Sequence, residues 1–319
     1  LKSEEGVRVI KEMIPSVDVV IHNFRPGVMD KLGLGSETLR GINSKLIYTA
    51  ISGFGTEGPM SSAPAYDPII QAHAGVAATQ GKGDEPAFMR TLLCDKITGY
   101  TACQAVTSAL FLRERTGEGQ HIDLSMIDSG LFFIFLDGFQ NHTLLSDDHE
   151  RGGMLIDILY DPWVCSDGGV IISAGSYEMQ KRFLTSIDMQ HLLEDERFAT
   201  FENQMRNIHV LKGLVSERCA ELSCDDMVGR LREVDVPCAK VMTRDEVLAQ
   251  EQLSANGTVD IYDHPIAGSS RRILAPPLFG GERLAPGSGA PTHGQHTREV
   301  LESFGMSETD IQKLSSKGV

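Results

Sequence analysis

The chain has 319 residues, of which 41% are hydrophobic and 23% charged, the balance of a soluble globular protein long enough for two domains. A net charge of −15, with no Lys/Arg cluster longer than two, excludes the basic face of a nucleic-acid binder. No apolar run reaches the length of a membrane span, and the six Cys (94, 103, 165, 219, 224, 238) show neither C-x-x-C nor zinc spacing. They read as reduced thiols, which points to the cytoplasm, or to the mitochondrial matrix if the source is eukaryotic.

The first element, LKSEEGVRVIKEMI, reads as an amphipathic helix already under way. Residues 18–24 (DVVIHNF) form a short apolar run ended by Arg25-Pro26-Gly27, the pattern of a buried parallel strand entering a loop. Arg25 can hold a phosphate there or cap the loop. A helical stretch over Met29–Leu39 leads to a second apolar run, Leu46–Ser52, stopped by Gly53-Phe54-Gly55. Strand, helix, strand is the unit of an open parallel sheet, and such sheets bind ligands beyond the carboxyl ends of their strands. A small-residue helix over Ile69–Ala78 carries His73, which reads as a packed, hydrogen-bonded side chain. A polar loop follows over Gln80–Pro86.

The stretch LLCDKITGYTA opens a helix of small and apolar residues from Ile97 to Leu112. Arg113 and Arg115 in its last turn and Gly117 after it are C-terminal signals. Asp95 stands at its mouth. Asp is a favoured N-cap, because its carboxylate accepts from free first-turn N–H groups. The same location also suits an ionised nucleophile with oxyanion donors nearby. The helix by itself leaves both open. Its neighbour Cys94 reads as a small core residue rather than a thiol nucleophile.

The alternation in His121–Met126 predicts a half-buried strand, and Asp128-Ser129 can cap the aromatic helix beyond it. The polar segment 146–159 reads as a linker. Residues 160–252 form a smaller α+β domain: a hairpin around Ser166-Asp167-Gly168-Gly169, helices over Asn207–Leu222 and Asp225–Val234, and a strand over Val236–Met242. Residues 253–319 are a returning linker, loop-rich after Pro276-Pro277, with a last helix over Thr297–Phe304 that rejoins the large domain of residues 1–145. His293 and His296 lack a third ligand, so no metal is expected.

Taken in order, these motifs resemble the class III CoA-transferases, the family that includes formyl-CoA:oxalate and carnitine CoA-transferases. The likeness starts at Asn23-Phe24-Arg25-Pro26-Gly27-Val28-Met29 with Lys31-Leu32-Gly33. It continues through Ser52-Gly53-Phe54-Gly55, Tyr66-Asp67, Gln71-Ala72, Asp95-x-x-Thr98-Gly99 and Arg113-x-x-Thr116-Gly117-x-Gly119-Gln120. It ends with Asp195-x-Arg197-Phe198, Arg206-Asn207, Val236-Pro237 and Gly294-x-His296-Thr297. The resemblance implies an α/β fold with a large open, mostly parallel, Rossmann-like sheet domain and a smaller α+β domain, in an interlocked homodimer. It implies transfer of CoA from an acyl-CoA to a carboxylic acid acceptor, with CoA as substrate and no cofactor. Asp95 falls on the nucleophilic aspartate, which carries an acyl anhydride and then an aspartyl-CoA thioester. Asn23, Phe24, Arg25, Lys31, Ala65, Tyr66 and Asp67 fall on the CoA site.

Two departures accompany the likeness. The family's opening strand–helix segment has no counterpart, so the chain reads as an N-terminally truncated member. In the neighbourhood of the family's glycine-rich lid stand only Gly152-Gly153. The alternatives are an α-methylacyl-CoA racemase, whose Gly-His-Asp motif is Ala65-Tyr66-Asp67 here, and an inactive CoA-binding fragment.

Overall fold

The computed structural model describes residues 1–81, 85–146, 148 and 160–318. Gly152-Gly153 and most of the 146–159 linker lie outside the described residues. The opening helix α1 (Glu4–Met13) is capped by Ser3, whose hydroxyl accepts from the Gly6 N–H at 3.1 Å.

Strand β1 (Val19–His22) is followed by α2 (Val28–Lys31), α3 (Ser36–Ile42) and β2 (Ile47–Ser52). β1 and β2 pair in parallel, Val19 opposite Ile47. The expected single helix over Met29–Leu39 is broken, because Gly33 turns left-handed (φ +67°) between α2 and α3. The first strand is also shorter and less buried than expected. It is an edge strand, and Ile21 is exposed there.

The crossover from β2 carries α4 (Asp67–His73), α5 (Val76–Gln80) and α6 (Leu93–Thr116) before β3 (His121–Ser125) returns parallel to β2, Tyr48 opposite His121. The sheet order is β1-β2-β3, so β2 is central and its Ile47 and Tyr48 are buried. Gly117, in the left-handed conformation, ends α6 as expected, its N–H donating to Arg113 O at 2.7 Å. This helix of small and apolar residues buries one stripe, Cys94, Ile97, Thr98, Ala102 and Ala109, while Tyr100 and Phe111 are exposed. The aromatic helix α7 (Met126–Gly138) is capped by Ser125, which accepts from the Asp128 N–H, and not by Asp128 or Ser129.

The chain divides into two compact units, Leu1–Gly152 with Pro291–Val319, and Gly153–Ala290. This division groups 253–290 with the second unit, in the stretch that the sequence pattern reads as a returning linker. In the second unit, β4 (Trp163–Cys165), β5 (Gly168–Ile172) and β6 (Cys238–Lys240) form an antiparallel sheet around the two-residue turn Ser166-Asp167. Helices Tyr177–Ser186, Ile208–Glu221 and Cys224–Glu233 bury Phe183, Leu184, Val215, Cys219, Met227 and Leu231 with Val170 of this sheet in one core. An antiparallel pair, Val259–His264 with Gly268–Ile273, stands in the region expected to be linker. Beyond Thr297–Ser303 a further helix, Glu308–Ser316, extends past the expected last one. Ser307 caps it, as the Asp310 N–H donates to its hydroxyl.

Gly75 separates α4 from α5 in the left-handed region (φ +84°), and a Cβ there would stand 2.6 Å from Phe139 Cζ. Gly75→Ala should therefore cost about 2 kcal/mol, from left-handed backbone strain plus the displaced ring. A urea titration should show a lower midpoint at unchanged slope. An unchanged midpoint would mean that the backbone at Gly75 relaxes freely.

Candidate active site

Helix α6 begins without a capping side chain, since its N-cap residue is Leu92. Asp95 is its third residue, so the N-cap role considered from the sequence does not apply. The first-turn donors are met from elsewhere. The Asp95 N–H donates to Asp67 Oδ1 at 3.0 Å, and the Lys96 N–H to Leu92 O at 3.2 Å. The Leu93 N–H donates to Thr91 O at 2.9 Å. The helix mouth thus has fewer open donors for an oxyanion than a free terminus would.

Asp67 is the first residue of α4 and only 2% exposed. Its second oxygen accepts from Gln71 Nε2 at 2.6 Å, one helical turn on. Gln71 is also buried. Its Nε2 lies 3.1 Å from both Met89 O and Thr91 O, and its Oε1 accepts from the Met89 N–H at 3.0 Å. One amide therefore binds the segment leading into α6, and one carboxylate binds the helix start. A buried carboxylate is costly unless its lone pairs are met, and here both oxygens have donors. Asp67, which falls on the expected CoA site, has both carboxylate oxygens engaged by donors of the protein.

The Asp95 side chain is exposed. Its carboxyl is pushed above the usual carboxylate range, first by partial desolvation at the helix mouth and then by the Asp67 charge. Solvent screens that shift, because the group is open to water. Cys94 points the other way, fully buried, with its thiol pushed up to about 11 by burial and the two neighbouring carboxylates. A thiol so disfavoured as thiolate is no nucleophile at neutral pH. His73 is exposed and stands edge-on to Phe54, ring centroids 5.3 Å apart, in place of the expected packed, hydrogen-bonded setting.

A second locus lies over the sheet. A cavity of about 620 Å³ is lined by Phe24 and Arg25 together with His22, Tyr48, Arg40 and His121. The Tyr48 ring contacts both His22 and His121 edge-on, at 5.3 Å in each case, and its hydroxyl donates to Leu34 O at 3.1 Å. Burial, then the carboxylates of Asp30 and Asp123, push the Tyr48 phenol up to about 12. Burial and nearby His121 lower the His22 pKa, and His22 Nδ1 accepts from the Phe24 N–H at 3.3 Å. Both effects favour the neutral imidazole.

Of the residues expected at the CoA site, Phe24 and Arg25 line this cavity. Asn23 and Lys31 are exposed beside it in the chain and do not line it. Ala65 and Tyr66 sit at the start of α4, next to Asp67 in the chain. Ala65 Cβ would lie 2.2 Å from a Cβ built at Gly53, so only glycine lets the loop after β2 approach this closely. Tyr66 is 76% exposed. Arg40, Tyr48 and His121 were not singled out from the sequence. The period-two pattern His121-x-Asp123 does place both polar side chains on one face of β3, but only strand register puts Tyr48 opposite His121. Among the described residues no group of three or more His, Cys, Asp or Glu stands where it could hold a metal ion.

Residues 1–297 match the sequence profile of CoA-transferase family III. The chain belongs to CoA-transferase family III. As a family member it is a CoA-transferase of the EC 2.8.3 type. It is 29% identical over its whole length to an acyl-CoA transferase of Fusarium pseudograminearum, covering 71% of that protein. It is 31% identical to the acetyl-CoA:oxalate CoA-transferase of Acetobacter aceti, over 83% of this chain and 71% of that protein. A solved CAIB/BAIF family protein from Brucella suis superposes with a TM-score of 0.81 at 30% identity, covering 95% of this chain and 79% of that one. The mixed α/β fold with its parallel sheet is thus that of the family.

If Asp67 raises the Asp95 pKa, Asp67→Asn should move the Asp95 titration midpoint down toward the ordinary carboxylate range. Carbon-13 NMR of labelled Asp carboxyls, assigned with Asp95→Asn, reads this directly. A midpoint that stays put would leave desolvation as the sole cause.

Proposed function

We propose that this family III enzyme moves CoA from an acyl-CoA to a carboxylic acid through covalent intermediates on Asp95. The observation that carries the reading is the setting of Asp95. It is an exposed carboxylate on an anchored helix end, with raised basicity, beside a buried thiol that cannot compete.

In this mechanism the Asp95 carboxylate attacks the thioester carbonyl and expels CoA thiolate, leaving an acyl–aspartyl anhydride. The thiolate then attacks the aspartyl carbonyl of that anhydride and releases the first carboxylate, giving aspartyl-CoA. The acceptor carboxylate attacks aspartyl-CoA, forming a new anhydride and freeing thiolate. Thiolate attack on the acceptor's carbonyl completes the new acyl-CoA and restores Asp95. Every leaving group is a carboxylate or a thiolate, so each step is reversible and one hard transfer becomes several easier ones. A raised Asp95 pKa increases nucleophilicity but demands deprotonation, so turnover falls as pH drops through that pKa.

Relatives are named for small carboxylic acids. One is the succinyl-CoA:glutarate CoA-transferase of Mus musculus, 27% identical over the whole of this chain and 74% of that protein. With the oxalate enzyme, this supports a small dicarboxylate as acceptor. Arg25 and Arg40 in the sheet cavity are suited to CoA phosphates in a protein of net charge −15. A homodimer is supported by the apolar side chains α7 leaves open, Phe132 at 85% and Leu136 at 79% exposure, one turn apart. The six free cysteines support a reducing compartment.

Incubation with succinyl-CoA and hydroxylamine should leave a hydroxamate on the peptide containing Asp95, and none in Asp95→Ala. Absence of the adduct with several acyl-CoAs, despite measurable CoA binding, sinks the covalent mechanism. Arg25→Gln should raise KM for acyl-CoA roughly tenfold with kcat nearly unchanged, the scale of one charge-assisted hydrogen bond. An unchanged KM would move the phosphate site away from Arg25.

A further inference from the structure

A cation stands directly after the Asp95 carboxylate, and the transfer chemistry above does not use it. Lys96 is the fourth residue of α6 and, like Asp95, is exposed. The positive end of a helix macrodipole disfavours a cation in the first turn. Among the described residues no carboxylate forms an ion pair with Lys96 to offset that cost. A local electrostatic rule broken without compensation is expected at functional sites.

The ammonium is also held in place. Its Nζ donates to Thr91 Oγ1 at 2.7 Å. Thr91 is fixed in turn, because its carbonyl accepts from Gln71 Nε2 at 3.1 Å and from the Leu93 N–H at 2.9 Å. Gln71 is the buried amide that also meets Asp67, so one network anchors both the Asp95 amide and the residue that steadies Lys96. A side chain ordered in advance loses less freedom when it binds. An ammonium has three N–H donors and no acceptor, so two remain for an anion once Thr91 has taken one. Lys96 makes no ion pair with Asp95 and is not among the causes that shift its pKa. The carboxylate therefore keeps its raised basicity. The two side chains spring from Cα atoms about 3.8 Å apart, so a short acyl group joined to Asp95 can extend to the ammonium.

Building on the covalent role proposed for Asp95, we propose that Lys96, steadied by Thr91, recognises the second carboxylate of a dicarboxylic acyl group. It does so while the first carboxyl of that group is joined to Asp95 as the anhydride. Lys96 thereby selects dicarboxylic over monocarboxylic acyl groups.

The probes are two thioesters of equal chain length. Glutaryl-CoA carries a free second carboxylate, and pentanoyl-CoA ends in a methyl group. The readout is the initial rate of hydroxamate formation at Asp95 in hydroxylamine, at limiting thioester. The wild type should react at least about tenfold faster with glutaryl-CoA, the scale of one charge-assisted hydrogen bond. That preference should vanish in Lys96→Met and largely survive in Lys96→Arg. Thr91→Val, which leaves the ammonium but removes its anchor, should give an intermediate preference. A merely structural Lys96 would slow both thioesters together and leave their ratio intact in Lys96→Met, which overturns the proposal. Equal rates with the two thioesters in the wild type overturn it as well. An unchanged preference in Thr91→Val overturns the anchoring role of Thr91. No hydroxamate with either thioester overturns the covalent role of Asp95 itself, and the role of Lys96 with it. A hydroxamate that forms equally with both sinks the role of Lys96 alone.

Discussion

The hydrogen bond from the Asp95 amide to the buried Asp67 carboxylate joins two helices through residues 28 apart in sequence. Without it, α6 would start from Leu92 with an unmet donor inside the protein, which costs about 1–3 kcal/mol. Asp67 in turn depends on Gln71, and Gln71 on the carbonyls of Met89 and Thr91. These are links of one network, so removing one leaves buried polar groups unpaired in the others. The network sets where the Asp95 carboxyl stands and, through the Asp67 charge, contributes to how tightly it holds its proton.

Two adjacent residues show how local geometry assigns opposite roles. Asp95 and Cys94 share a helix turn and a neighbouring carboxylate, yet one is open to water and the other is fully buried. Consecutive helix residues point about 100° apart. Burial therefore falls on the thiol, whose ionised form it suppresses, and spares most of the carboxylate. Desolvation first, and the Asp67 charge after it, raise the pKa of both Asp95 and Cys94.

The sheet cavity and the second unit place polar groups by different rules. Over β1–β3, parallel register gathers His22, Tyr48 and His121 on one face, and the cavity there is lined by Arg25 and Arg40 together with Asp30, Glu37 and Asp123. Charge at the cavity is therefore mixed, and an anion would be held by the guanidinium groups themselves and not by a net positive field. In the second unit Gln180 and the Lys212–Asp161 ion pair border apolar walls, set there by helix packing and not by strand register.

The linear sequence was enough to establish the order of strand and helix, the stop at Gly117, the hairpin at Ser166-Asp167 and the motif set that marks the family, because these rest on neighbours within a few residues. It also located Asp95 at the mouth of a helix. It did not distinguish a cap from an exposed third residue, since that depends on where Leu92 turns. The helix after Thr297–Ser303 and the antiparallel pair Val259–His264 with Gly268–Ile273 were missed, their polar faces hiding the apolar period. Asp67 is the clearest case. By resemblance it falls on the expected CoA site, and only the tertiary structure shows it turned inward onto the Asp95 amide. Long-range hydrogen bonds and strand register join residues whose separation leaves no periodic trace. Hence a single sequence shows which residues are chemically able, while the folded chain decides which of them face the solvent and which hold the others in place.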